Sequence, residues 1–193
     1  MSTDEATGSL DPRTPVLVGV ATASADAEAV ELMSLATEKA LADAGGRGLA
    51  GAVDRVAVPQ GSWSYPDPAR LVAHRIGAPR ATTQLVELGI PQQSLINDAL
   101  AAILSGGSDV AVVVGGEAKQ WVRDRERAGQ DATGTQQPGV TPDVLRSRPG
   151  PLLEPVEVAH RLWDPVQQYA MIDNALRAAD GLTIAEHLSL IHI

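Results

Sequence analysis

Apolar residues along this chain come in two textures. Short continuous runs alternate with stretches where apolar positions return every three or four residues. The first run, residues 16–20 (Val-Leu-Val-Gly-Val), has no polar alternation. That is the pattern of a strand covered on both faces, so a buried strand is expected there. Helical spacing follows over residues 27–44, where Val30, Met33, Thr37, Ala40, Leu41 and Ala44 share one stripe. Asp26 is the expected N-cap, and Gly45 can end the helix in left-handed geometry. Residues 55–58 (Arg-Val-Ala-Val) read as a second strand closed by Pro59. Asp67-Pro68 opens a short helix, Asp as cap and Pro in the first position, that runs to Gly77. Residues 81–88 read as a third strand. Pro91 opens a helix to Ser105 in which Leu95, Ile96, Ala99, Leu100, Ile103 and Leu104 leave little polar face. It is expected to be the most buried helix of the fold. Residues 109–114 (Asp-Val-Ala-Val-Val-Val) give the strongest strand signal.

The resulting order, β-α-β-α-β-α-β over residues 14–117, predicts an α/β domain built on a mostly parallel sheet covered by helices. Residues 1–13 read as a loose, disordered leader. Beyond Glu117 the texture changes, and residues 118–187 read as a loop and helical insertion. Within it, residues 119–127 form a charged helix and residues 130–155, rich in Gly, Pro, Gln and Asp, an irregular excursion. Residues 166–179 return to helical spacing. Thr183 and Glu186 then have capping-box spacing for a last helix. Residues 188–193 (Leu-Ser-Leu-Ile-His-Ile) break off in an uncharged apolar run and read as a non-native tail on a truncated chain.

Composition narrows the chemistry. Aromatic residues are 3% of the chain, with no Phe, so the core must be built from Ala, Val, Leu and Ile. A net charge of −9 repels phosphate backbones and argues against a nucleic-acid partner. The chain has no Cys, which excludes disulfides, thiolate catalysis and Cys-based metal sites. The first ten residues are polar and acidic, unlike a secretory signal, and no apolar stretch approaches membrane-spanning length. A cytoplasmic location is expected.

Three stretches carry a family resemblance. They are Thr14-Pro-Val-Leu-Val-Gly-Val with the Ala-rich helix ending Ala42-Asp-Ala-Gly45; Ile103-Leu-Ser-Gly-Gly-Ser-Asp-Val-Ala-Val-Val-Val-Gly-Gly-Glu117; and the segment from Pro165 to His187. Together they resemble the N-terminal half of the thiolase superfamily. The nearest subgroup is the acetyl-CoA acetyltransferase-like proteins called thiolase-like protein type 1, relatives of the sterol-carrier-protein thiolases. The loop Gly61-Ser-Trp-Ser-Tyr-Pro-Asp-Pro-Ala-Arg70 fits that subgroup as well. The resemblance implies acyl transfer to or from coenzyme A through a Cys-bound thioester, with acyl-CoA as ligand and a role in lipid or sterol metabolism. It also implies a C-terminal thiolase half, and a homo-oligomer or partner subunit in a full-length protein. In that family the acylated Cys sits at the N-terminal tip of the buried third helix, where the helix dipole steadies the thiolate. The matching positions here are Ile90, Pro91 and Gln92. None can form a thioester, so the chain is expected to be inactive. The alternative is a non-catalytic protein that binds acyl-CoA or a partner subunit.

Few other residues invite a sharp assignment. Trp63 and Tyr65 flank Ser64 in a Pro-containing loop. They could line a ligand surface or plug a dimer or domain seam. Gln92 and Gln93 stand at the helix tip as further ligand-lining candidates. Glu117 follows a strand end, where parallel sheets often bind ligands, though an exposed turn carboxylate is the commoner case. Gly115 and Gly116 are read as meeting positive φ or tight packing at a strand exit rather than a ligand. His74, His160 and His187 are taken as ordinary surface residues, and the mixed-sign run at 123–127 as a solvated helix face. Gly19-Val-Ala-Thr lacks the second and third glycines of a dinucleotide fingerprint. No metal-ligating cluster is read.

Overall fold

The computed structural model describes residues 11–45 and 48–191, without the side chains of 190 and 191. The chain divides into two compact units at Arg148, which falls inside the stretch 118–187.

The first unit is built on a four-stranded parallel sheet. Its strands are β1 (Arg55–Pro59), β2 (Thr82–Val86), β3 (Ala111–Val113) and β4 (Val144–Arg146), in the order β3-β1-β2-β4. Arg55 sits opposite both Thr82 and Ala111, and Gln84 opposite Val144. The helices are α1 (Ala29–Asp43), α2 (Leu49–Ala52), α3 (Pro68–Arg75), α4 (Gln93–Leu104) and α5 (Lys119–Arg127). Side chains alternate across a strand, and β1 shows it. Val56 and Val58 enter the cluster with Met33 of α1 and Val72 of α3, while Ala57 turns to the other face against Val86 and Leu95 of α4. Met33, Val56, Val58 and Val72 are completely shielded, each worth about 1.5–3 kcal/mol of burial.

Local signals act as the sequence implies in several places. The Asp67 side chain caps α3 by accepting from the Arg70 amide at 2.9 Å, with Pro68 in the first turn. Gly77 ends that helix at φ 82°, a conformation that costs a side-chain-bearing residue more than glycine. The segment after α5 is held by polar contacts. Gln137 exchanges two hydrogen bonds with the Asp67 backbone. The Asp143 carboxylate accepts from the Thr83 amide at 2.8 Å and from Arg70 at 2.6 Å. These contacts deliver β4 to the edge of β2.

Several expectations are corrected. Residues 16–20 form no strand, and Val16, Leu17, Val18 and Val20 are all exposed. An apolar run becomes a strand only where a second backbone meets it, and among the described residues none does. It rests on α1 through the Val20 amide on the Asp43 carboxylate at 3.0 Å and through Gly19, where a Cβ would collide with the Ala40 carbonyl. The expected excursion at 130–155 contains β4, a strand whose own residues are exposed and whose pattern is therefore silent. The helix at 91–105 is not the most buried. Only Leu95 and Ala99 are buried in α4, while Ile96, Leu100 and Leu104 face solvent. Nothing in the described first unit covers its outer face. Glu28, not Asp26, is the N-cap residue of α1, and its side chain does not cap. Of the leader, residues 1–10 lie outside the described residues. Arg13 is anchored, donating to the carbonyls of Ile103 at 2.7 Å and Ser108 at 2.9 Å and to Asp109 at 2.8 Å.

The second unit is helical: α6 (Pro155–Ala159), α7 (Pro165–Ala179) and α8 (Ile184–Ile191). Asp164 caps α7 through the Val166 amide at 3.2 Å. Thr183 and Glu186 form the expected reciprocal bonds at the start of α8, 2.8 and 3.3 Å. Neither α6 nor α7 buries a residue, and Val166 and Tyr169 are largely exposed. Of the run read as a non-native tail, residues 188–191 continue α8 and residues 192–193 lie outside the described residues.

Candidate functional site

Two segments leave the carboxyl ends of neighbouring strands and meet. Residues 60–66 follow β1, and residues 114–118 follow β3 and lead into α5. Carboxyl ends of parallel strands are where open α/β sheets usually bind ligands. The two segments are laced together. Trp63 Nε1 donates to the Gly116 carbonyl at 2.9 Å. The Glu117 carboxylate accepts from the Ser62 amide at 2.7 Å and the Ser62 hydroxyl at 2.5 Å. Gly116 lies against α1, where a Cβ would sit 3.2 Å from Met33 Cγ and 3.5 Å from the Ala29 carbonyl oxygen. Its φ is not positive, so tight packing explains this glycine rather than backbone freedom.

Between these segments and α5 lies a cleft of about 490 Å³, lined among others by Ala29, Trp63, Tyr65, Glu117, Trp121 and Val122. The Trp63 and Tyr65 rings are 5.3 Å apart at a 36° tilt. Tyr65 is buried and donates its hydroxyl to Glu28 Oε2 at 2.9 Å. Burial first, then this hydrogen bond and the Glu28 charge, hold the Tyr65 phenol well above its ordinary pKa. It therefore stays neutral and acts as a hydrogen-bond donor rather than a base. Glu28 also accepts from the Thr135 amide at 2.6 Å, which ties the loop after α5 to the start of α1.

The structure brings Trp63, Tyr65 and Glu117 together around this one cleft. It leaves Gln92 and Gln93 out of the lining. Gln93 donates to Asn97 along its own helix at 3.1 Å, and Gln92 is exposed ahead of α4. At the helix tip Ile90 packs on the small Ala57, Val86 and Leu95 cluster, while Pro91 is exposed. These side chains offer a hydrocarbon, a pyrrolidine ring and an amide, none of them a nucleophile. Sequence reading missed Glu28, Trp121, Lys119 and Arg123. The run at 123–127 is not merely a solvated face, because Arg123 lines the cleft and Arg125 lies over the Trp121 ring at 4.6 Å. A lone Trp inside so charged a segment was the available signal. His74 and His160 are exposed. His187 is in α8, its Nε2 2.9 Å from the Asp173 carboxylate on α7. Among the described residues no cluster of His, Cys, Asp and Glu could hold a metal ion, and no helix is long and apolar enough to cross a membrane.

No protein-family model matches the chain, and no curated protein does. Among solved structures it is similar to a monomeric SCP2-thiolase like protein type 1 (STLP1) from Mycobacterium smegmatis. The TM-score is 0.57 at 28% identity over 92% of this chain, which spans 32% of that protein's length. The four-stranded parallel sheet with flanking helices is a thiolase-like fold.

Proposed function

We propose that this chain is the N-terminal part of a thiolase-like protein of lipid or sterol metabolism, acting in the cytoplasm. On this reading it binds an acyl-CoA thioester without turning it over. The lineage is that of acetyl-CoA acetyltransferase-like proteins, and the rest of such a protein would supply a second thiolase half. The observation that carries the non-catalytic reading is the complete absence of Cys. A thiolase acyl-enzyme is a Cys thioester, formed when a thiolate attacks the acyl carbonyl. With Ile90, Pro91 and Gln92 at the tip preceding α4, no atom there can accept the acyl group. The likeness to an SCP2-thiolase like protein supports the lineage. Binding without chemistry remains open to this fold, because the anchoring of a thioester needs no nucleophile.

The test sets thiolysis of acetoacetyl-CoA, followed by loss of its enolate absorbance, beside calorimetric titration with acetyl-CoA. Binding with no turnover is expected. Turnover by this chain would overturn the non-catalytic reading, and absence of any heat of binding up to millimolar ligand would overturn the acyl-CoA reading.

A further inference from the structure

The cleft beyond β1 and β3 has a mixed chemistry. Its apolar surface comes from Trp63, Trp121, Val122 and Ala29. Two cations also line it, Lys119 and Arg123, one helical turn apart on α5. Neither forms an ion pair among the described residues. Arg123 donates its Nε back to the Lys119 carbonyl at 3.3 Å, which fixes the guanidinium along the helix and leaves its terminal nitrogens uncommitted. The acidic lining residue, Glu117, already accepts two hydrogen bonds from Ser62. Elsewhere on α5, Asp124 takes up Arg127 and Gln120, and Arg125 takes up Trp121. Among the described residues, the cations of this helix without an acidic or aromatic partner are therefore the ones at the cleft.

We propose that this cleft binds an amphipathic organic anion, its aliphatic chain or ring on Trp63, Trp121 and Val122 and its carboxylate or phosphate on Lys119 and Arg123. The two halves of the site together favour a ligand that uses both. A bare inorganic anion would leave the aromatic wall in water, and a neutral hydrocarbon would make no use of the two adjacent cations. The volume of about 490 Å³ is ample for a chain of eight or so carbons with a head group, since small-molecule sites run roughly 300–1,000 Å³. The assignment stands on this cleft alone, and because octanoate and octyl phosphate carry no coenzyme A it can hold or fail separately from the acyl-CoA reading.

The experiment follows tryptophan fluorescence in a Trp163→Phe background, which leaves Trp63 and Trp121 as reporters. Octanoate, octyl phosphate and octan-1-ol are titrated separately. At least one anion should give a saturable change and bind about tenfold tighter than the alcohol, the size of one charge-assisted hydrogen bond. Octyl phosphate alone would assign a phosphate head group, octanoate alone a carboxylate. The double substitution Lys119→Ala and Arg123→Ala should reduce the anion to the affinity of octan-1-ol and leave octan-1-ol itself unchanged. Val122→Asp should weaken all three. Circular dichroism checks that each variant is folded, and the comparison of anion with alcohol in the parent stands whatever the variants do. No saturable change with either anion, equal affinity for anion and alcohol, or an anion affinity untouched by loss of both cations would overturn the proposal.

Discussion

Replacing Asp67 by Ala is expected to destabilise the first unit by about 2 kcal/mol. The Asp67 side chain is completely buried and has several duties. It caps α3 through the Arg70 amide at 2.9 Å, accepts from the Thr83 hydroxyl at 2.9 Å, and lies 3.5 Å from the Arg70 guanidinium. Loss of an N-cap costs about 1 kcal/mol. Loss of the hydrogen bond to a buried hydroxyl costs about 1 kcal/mol more. The Thr83 hydroxyl keeps Asp143 as an alternative acceptor at 3.2 Å, and removing a buried carboxylate recovers part of its desolvation, so the figure does not climb further. The Arg70 guanidinium likewise retains Asp143 at 2.6 Å. With a urea m-value of about 2 kcal/mol/M, the midpoint should fall by about 1 M at unchanged slope. Urea unfolding followed by tryptophan fluorescence measures it. Asp67→Asn is the control, because asparagine caps a helix as well as aspartate does, and it should lose less than half as much. An Ala variant within about 0.5 kcal/mol of the parent, or an Asn variant as weak as Ala, would refute this account of how α3 is anchored to β2.

The remaining predictions concern pH, the unpaired segment and the missing nucleophile. The Thr83 amide, then Arg70, holds the Asp143 carboxyl below its ordinary value. A lowered folded pKa means the contribution is present above the unfolded value, about 4, and fades as pH falls through the folded one. Asp143→Asn should therefore be weaker than the parent at neutral pH, and the gap in urea midpoint should close on acidification below about pH 4; a gap constant with pH would count against the contact. Leu17→Lys should change stability by no more than about 0.5 kcal/mol, since Leu17 is 85% exposed; a loss of several kcal/mol in urea unfolding would restore the buried strand that the apolar pattern suggests. Ile90→Cys or Pro91→Cys alone should install no thiolysis of acetoacetyl-CoA, because an activated thiolate still needs an oxyanion hole and acid–base partners. An acetylated variant turning over would contradict that.

What the sequence alone determined was local. Capping and termination were legible at Asp67, Thr183 and Gly77 because each rests on bonds within a few residues of the chain. The strands around Val56, Leu85 and Val112 were legible from short apolar or β-branched runs bounded by turn residues, as in Val56-Ala57-Val58 before Pro59 and Ala111-Val112-Val113 before Gly115. The lack of a cysteine nucleophile was legible outright, since it is a matter of composition. Tertiary structure decided the rest. Residues 16–20 carry the same apolar signature as β3, yet they pair with nothing described, because a strand is a relation between two backbones and a pattern records only one. The segment 144–146 shows the converse. Its exposed side chains give no period, and it joins the sheet because Asp143 and Gln137 dock on Thr83 and Asp67 across some sixty or seventy residues of chain. The candidate site divides along the same line. Trp63 and Tyr65 stood out as rare aromatics and Glu117 by its place after a strand, while Lys119, Trp121 and Arg123 became part of the cleft, and Glu28 the acceptor behind Tyr65, only because α1 and α5 converge on the carboxyl ends of β1 and β3. Sequence spacing does not encode that convergence; the closing of parallel crossovers around a sheet does.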